Sequence, residues 1–181
     1  MFRPLFHALP VLVLLLLSMG AEARDRDLPP ADPKGVWHKI THDNATSTSP
    51  CIGKLETPLC AVDTMIAAEL RGDQELYSLS RIGKAQPEPW LTAENANNWY
   101  KYRILSSGRF KAGNRRQDDR YQDMHWVPGD VWIVIDQRHC YPDRCSKPVP
   151  STRWWWPTRY VIHKSEAGWI VRYAGDLHWR Q

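Results

Sequence analysis

Hydrophobic and polar positions alternate along this chain in three different rhythms, and each rhythm predicts a different element. The first is continuous: Leu9 to Leu17 is apolar except that Pro10 interrupts it. The second starts after Thr57, where Leu59, Val62, Ile66 and Leu70 recur at helical spacing with Met65 beside them. Thr57 can cap this helix, Pro58 suits its first turn, and Gly72 suits its end. Asp73 can cap a second helix, with Leu76, Leu79 and Ile82 along one face before Gly83. Gln86 to Pro89 breaks the chain, and Thr92 can cap a short helical piece reaching Asn97.

The third rhythm has period two and begins at Trp99. Tyr100, Tyr102 and Ile104 share one strand face; Trp99, Lys101, Arg103 and Leu105 share the other. Residues 112–123 are polar and predict a loop or hairpin end. Asp130 to Cys140 predicts a strand bounded by Pro128-Gly129, with Val131, Ile133 and Ile135 opposing Trp132, Val134 and Asp136. Thr158–Lys164 and Trp169–Ala174 flank Ser165 to Gly168 as a hairpin. Tyr160 and Ile162 fall on one face of its first strand. Trp169, Val171 and Tyr173 fall on one face of its second. Helices followed by antiparallel strands predict an α+β fold, with N-terminal helices packed on a curved, cone-like antiparallel sheet. No internal repeat is visible.

The N-terminal run carries the parts of a secretory signal. Arg3 supplies charge, the apolar stretch follows, and Ala21-Glu22-Ala23 fits a small-x-small cleavage site. The run is shorter than the ~20 residues of a membrane-spanning helix, no later segment is long enough either, and no cysteine sits beside the cleavage site to accept lipid. The expected domains are a signal peptide at 1–23, a flexible leader and loop at 24–50, and one α+β domain at 51–181. The expected location is the periplasm or the exterior, as a soluble protein and not a lipoprotein.

Composition adds three points. A mature chain of about 158 residues suits one domain with a single core. Ten tryptophans are many for that length, and several should lie in the core. The net charge of +4 serves solubility and leaves room for attraction to acidic polymers or anionic membrane surfaces. The chain carries no nucleic-acid motif and no cofactor motif.

Cys51, Cys60, Cys140 and Cys145 make an even count in an exported chain and read as disulfides. Short loops close at least entropic cost, which favours Cys51–Cys60 and Cys140–Cys145. A zinc site at His139, Cys140 and Cys145 is the rival, with little support from spacing. His38 and His42, four apart, would share a face only if that stretch were helical. Asn44-Ala45-Thr46 matches a glycosylation sequon in a eukaryotic secretory route.

Two stretches resemble the nuclear-transport-factor-2-like superfamily, also called the SnoaL-like or steroid-isomerase-like cone. Thr57 to Asp73 is similar to its first helix, which ends in Gly-Asp before a second helix. Thr158 to Tyr173 is similar to its closing hairpin, with Gly-Trp at the turn exit. The resemblance would span roughly residues 55–176, with the cysteine pairs and the tryptophan-rich insert at 146–157 as departures. It implies a scaffold that hosts isomerases, cyclases, dehydratases and non-catalytic binding modules.

A cone enzyme needs an acid or base buried in an apolar pocket. Asp63, Asp136, His125 and His163 are the candidates. Asp63 could instead face solvent, Asp136 could end its strand in the open, and His163 shares a face with Val161 and Arg159 that predicts exposure. Trp154-Trp155-Trp156 is either core packing with an edge cover or a platform for a ligand or a protein. Tyr100, Tyr102 and Trp132 could line a pocket with it. No metal ligand set is expected. The reading that leads is a non-catalytic binding or interaction module of the cell envelope, with an unknown protein or small molecule as partner. The alternatives are a small-molecule enzyme or carrier using the cone interior, and an assembly protein that forms a homodimer through its sheet face. Mass spectrometry of the exported protein should find a chain beginning near Arg24; an intact Met1 would contradict export by cleavage.

Overall fold

The computed structural model describes residues 26–83, 99–111, 126–140 and 157–177, with the side chains at 139, 140 and 176 excepted. Helix α1, Pro58–Arg71, forms where the capping signals predict it. Thr57 is extended and its hydroxyl accepts the amide of Cys60 at 3.2 Å, and Gly72 closes the helix at φ 63°. Asp73 then caps helix α2, Gln74–Ser80, by accepting the amides of Glu75 and Leu76 at 3.0 Å each.

Strand β1 is His38–Thr41, β2 Trp99–Arg109, β3 Val131–Cys140, β4 Thr158–Ser165 and β5 Gly168–Asp176. They form an antiparallel sheet in the order β1-β2-β3-β4-β5. The sheet curls, so α1 contacts both edge strands, β1 and β5, as well as β2 and β4. This is an α+β half-barrel with its helices in the concave side. The core lies between them. Ile40, Tyr102, Ile104, Val131, Ile133, Ile135, Tyr160, Ile162, Trp169 and Val171 face Ala61, Val62, Met65 and Ile66 of α1. A smaller cluster lies on the outer face, where Trp126, Trp132 and Tyr173 surround Phe110 and Val161.

Strand alternation predicts the inner and outer faces of β2, β3 and β4 correctly, because each strand is wetted or lightly covered on one side only. Three expectations change. The stretch at 24–50 is not all leader and loop. It contains β1, which pairs His38 with Tyr102 and Ile40 with Tyr100, and the leader is docked: Leu28 packs on the core, the Asp32 amide donates to the Ile104 carbonyl at 2.9 Å, and Ser107 donates to the Pro29 carbonyl at 2.6 Å. With 38–41 extended, His38 and His42 do not share a helical face. In α2 the buried residues are Tyr77 and Ser80 and Leu76 packs on the core, whereas Leu79 and, past the helix end, Ile82 are 44 % and 40 % exposed; the helix is turned by its contact with β5, where Arg81 bridges Val171.

The third change is in β5. Val161 pairs with Tyr173 but Ile162 pairs with Val171, so Arg172 is an extra residue. This bulge keeps Trp169 and Val171 inside and moves Tyr173 to the outer face. At the start of the same strand Gly168 has φ 129°, and a Cβ there would meet the Leu55 carbonyl oxygen at 2.6 Å. Gly83 has φ 102° with open space around it. In thermal or urea unfolding, Gly168→Ala should cost about 2 kcal/mol or more through collision plus strain. Gly83→Ala should cost only the backbone term, about 1 kcal/mol.

Candidate functional site

The sharpest polar feature of the interior is a carboxyl group in the second turn of α1. Asp63 is 2 % exposed. Its Oδ2 accepts the Ser49 hydroxyl at 2.5 Å, and its Oδ1 accepts the phenol of Tyr102 from β2. The two donors come from segments far apart in the chain. Ser49 is held close by the loop that follows β1, and that loop is tied to the first turn of α1 by the Cys51–Cys60 disulfide. Tyr102 is fully buried on the inner sheet face.

The network continues towards the surface. The His38 ring stacks on Tyr102 with centroids 4.8 Å apart and planes 13° from parallel. His38 Nε2 lies 3.1 and 3.0 Å from the two carboxylate oxygens of Asp32. Asp32 Oδ2 also accepts the Ile104 amide at 2.6 Å. Burial pushes the Asp63 carboxyl up from 3.8 to about 6, against the hydrogen bonds from Ser49 and Tyr102 and the nearby charge of His38. Tyr102 is raised well above its usual range, first by burial and then by the Asp63 charge and hydrogen bond. Ile40, Val62, Ile66 and Ile104, which belong to the same core, are each 2 % exposed or less.

A second polar cluster lies on the outer face. Asp130, 1 % exposed, precedes β3. Its Oδ1 is 2.7 Å from His163 Nδ1, its Oδ2 is 3.3 Å from Arg172 Nε, and the Val127 amide donates to Oδ2 at 3.0 Å. A buried carboxylate is thus held by an imidazole, a guanidinium and a backbone amide, which satisfies it without solvent.

The predicted site residues separate rather than converge. Asp63 is not solvent-facing; the helix is buried nearly all round, and Asp63 is enclosed with it. Asp136 points outward and takes the Arg103 guanidinium at 3.0 Å. His163 is bound to Asp130 rather than left open. Tyr102 joins Asp63, and Tyr100 donates its phenol to Gln137. Trp132 lies on the outer face, against Gly108, where a Cβ would meet its ring at 2.5 Å. His125, Trp154, Trp155 and Trp156 lie outside the described residues, as do Thr92 to Asn97. Of the two expected disulfides, Cys51–Cys60 is present; Cys145 and the side chains of His139 and Cys140 fall outside the described residues. Among the described residues no three His, Cys, Asp or Glu side chains gather as a metal site.

Ser49, His38 and Asp32 were not legible as partners of Asp63. Ser49 is 14 residues from Asp63 and Asp32 is 72 residues from the Ile104 amide that it accepts, and no local spacing reports such meetings. Asp130 carried a weak signal, as an acid directly after Pro128-Gly129 and before an apolar strand. No family model, curated protein or solved structure matches the chain. No helix among the described residues is long and apolar enough to cross a membrane.

The raised acidity constant has a stability consequence. The folded state binds the Asp63 proton more tightly than the unfolded chain does, so Asp63 weakens the fold as pH rises from about 4 to about 6. The loss should approach about 3 kcal/mol and be complete above the folded value. Urea unfolding from pH 4 to 7 should show this decline in the native protein, and Asp63→Asn, which cannot ionise, should abolish it.

Proposed function

We propose that this chain is an exported binding module that meets its partner on the outer face of the sheet. The observation that carries the reading is the filling of the concave side. Tyr102, Ile133, Ile135, Tyr160 and Ile162 are each buried to 3 % or less under α1, and the carboxyl best suited to acid–base work, Asp63, has both oxygens engaged by hydroxyls. An enzyme of the cone type needs that volume for substrate. The outer face of β1, β2 and β3 instead carries half-exposed aromatic and charged side chains.

The nuclear-transport-factor-2-like cone remains the family reading. It draws support from the capped α1 ending at Gly72-Asp73 and from Gly168-Trp169 at the start of β5. Export is supported by the leader sequence and agrees with the Cys51–Cys60 bond, since disulfides persist in oxidising compartments. Acetylation of lysines, read by mass spectrometry with and without cell-envelope extract, tests the binding reading. Lys39 and Lys101 of the outer face should be protected, while Lys34 and Lys54 stay reactive. Equal labelling of all four would remove a binding role for that face.

A further inference from the structure

One rung of the outer sheet face holds three cations side by side. Lys39 of β1 is directly opposite Lys101 of β2, and Lys101 is directly opposite Arg138 of β3. Directly opposed residues of antiparallel strands project on the same face, with neighbouring strands about 4.8 Å apart. Like charges so placed are destabilising. Among the described residues, none of the three has a carboxylate within ion-pair distance.

The next rung along the strands is aromatic and charged. Arg103 is opposite Asp136 and paired with it at 3.0 Å, and Trp37, which leads into β1, lies beside them. The Arg138 and Arg103 guanidiniums sit 4.5 and 5.4 Å from the Trp37 ring centre. Lys101 Nζ sits 5.1 Å from the ring of Trp99. Cation–π contact holds the cationic heads in place without neutralising them. A guanidinium stacked this way keeps its in-plane N–H edges, the geometry that takes a carboxylate or sulfate with two hydrogen bonds. The two rungs present four cations and one carboxylate on a half-exposed sheet surface.

We infer that this Lys39–Lys101–Arg138 rung, with Arg103 and the tryptophans that brace it, is a docking surface for an acidic polysaccharide. The inference rests on the binding-module reading and names the partner of that face. A chain of sugar rings bearing carboxylates or sulfates supplies successive negative charges on the scale of the strand spacing and relieves the repulsion built into the rung. Single-stranded nucleic acid fits less well, because its bases need open aromatic faces to stack on, and cations already lie over Trp37 and Trp99. An anionic membrane fits less well, because among the described residues Val36 and Leu105 are the large exposed apolar side chains nearest in sequence to Trp37 and Arg103, and they give little area to insert.

Titration of the purified chain with heparin and with polygalacturonate tests this, with dextran, oligothymidylate and phosphatidylglycerol vesicles as competitors for the assignment. Binding to one of the two acidic glycans should exceed binding to all three others and should weaken as salt rises. The triple variant Lys39→Gln, Lys101→Gln, Arg138→Gln should bind about tenfold more weakly or worse, and its melting temperature should be unchanged or higher because the rung no longer repels itself. The single variant Lys101→Gln, which leaves Arg138 on Trp37, should show a smaller loss in the same direction. The control Lys34→Gln, Lys54→Gln, Lys111→Gln removes equal charge elsewhere and should bind within about twofold of native. Equal loss in both triple variants, tighter binding to the oligonucleotide or the vesicles, or no binding to either glycan would overturn the assignment. In those cases protection of Lys39 and Lys101 by envelope extract still separates a wrong partner from a wrong face: protection retained means a different partner, and protection absent removes the binding module as well.

Discussion

Asp63 is the point at which three separately formed pieces of this protein are joined. It belongs to α1, one of its oxygens is bonded to the loop after β1, and the other is bonded to the middle of β2. A carboxyl group taken out of water costs several kcal/mol unless its lone pairs are met, so helix, loop and sheet can close only in the arrangement that brings Ser49 and Tyr102 to it. The Cys51–Cys60 bond narrows the search by holding the Ser49 loop against the first turn of the same helix. From Tyr102 the arrangement extends through the stacked His38 to Asp32, and the leader is fixed to β2 as a result. Apolar burial supplies the driving force of the fold, and this network selects which of the helix's nearly uniform faces meets the sheet.

The curl of the sheet follows from the same packing. One helix touches both edge strands only if the sheet bends around it, and the extra residue at Arg172 lets β5 bend while keeping Trp169 and Val171 inside. Each edge meets one of the chain's own loops. The Thr48 amide donates to the Lys39 carbonyl beside β1, and the Ile82 amide donates to the Val171 carbonyl beside β5. Such contacts occupy part of each edge, where unpaired groups could otherwise template association.

The inner and outer halves of the sheet therefore serve different ends. The inner half is largely apolar and encloses a carboxyl group that burial makes harder to ionise. The outer half mixes guanidinium, ammonium and indole groups, held in fixed positions by cation–π contacts and by the pairing of Arg103 with Asp136. At its far end Asp130 gathers His163 and Arg172, and between the two ends Phe110, Val161 and Trp132 form a small apolar cluster. Cations aligned across three strands repel one another, and the proposed acidic partner would relieve that repulsion.

Most of the local architecture was legible in the amino-acid sequence. The cap of α1 at Thr57, its stop at Gly72, the alternation in β2, β3 and β4 and the short-range disulfide all follow from interactions within a few residues, and such interactions are the ones that spacing records. The short strand β1, the turned face of α2 and the migration of Tyr173 were not legible. Each depends on a partner distant in the chain: β1 on the edge of β2, α2 on its bridge to Val171, Tyr173 on a bulge whose position only the pairing with β4 reveals. The same holds for the chemistry. The sequence by itself determined that the chain has two capped helices, amphipathic strands and a surplus of basic and aromatic residues. Only the tertiary structure decided that Asp63 is enclosed rather than solvated, and that Lys39, Lys101 and Arg138 share one rung, because both outcomes rest on registers between strands and helices that no local pattern encodes.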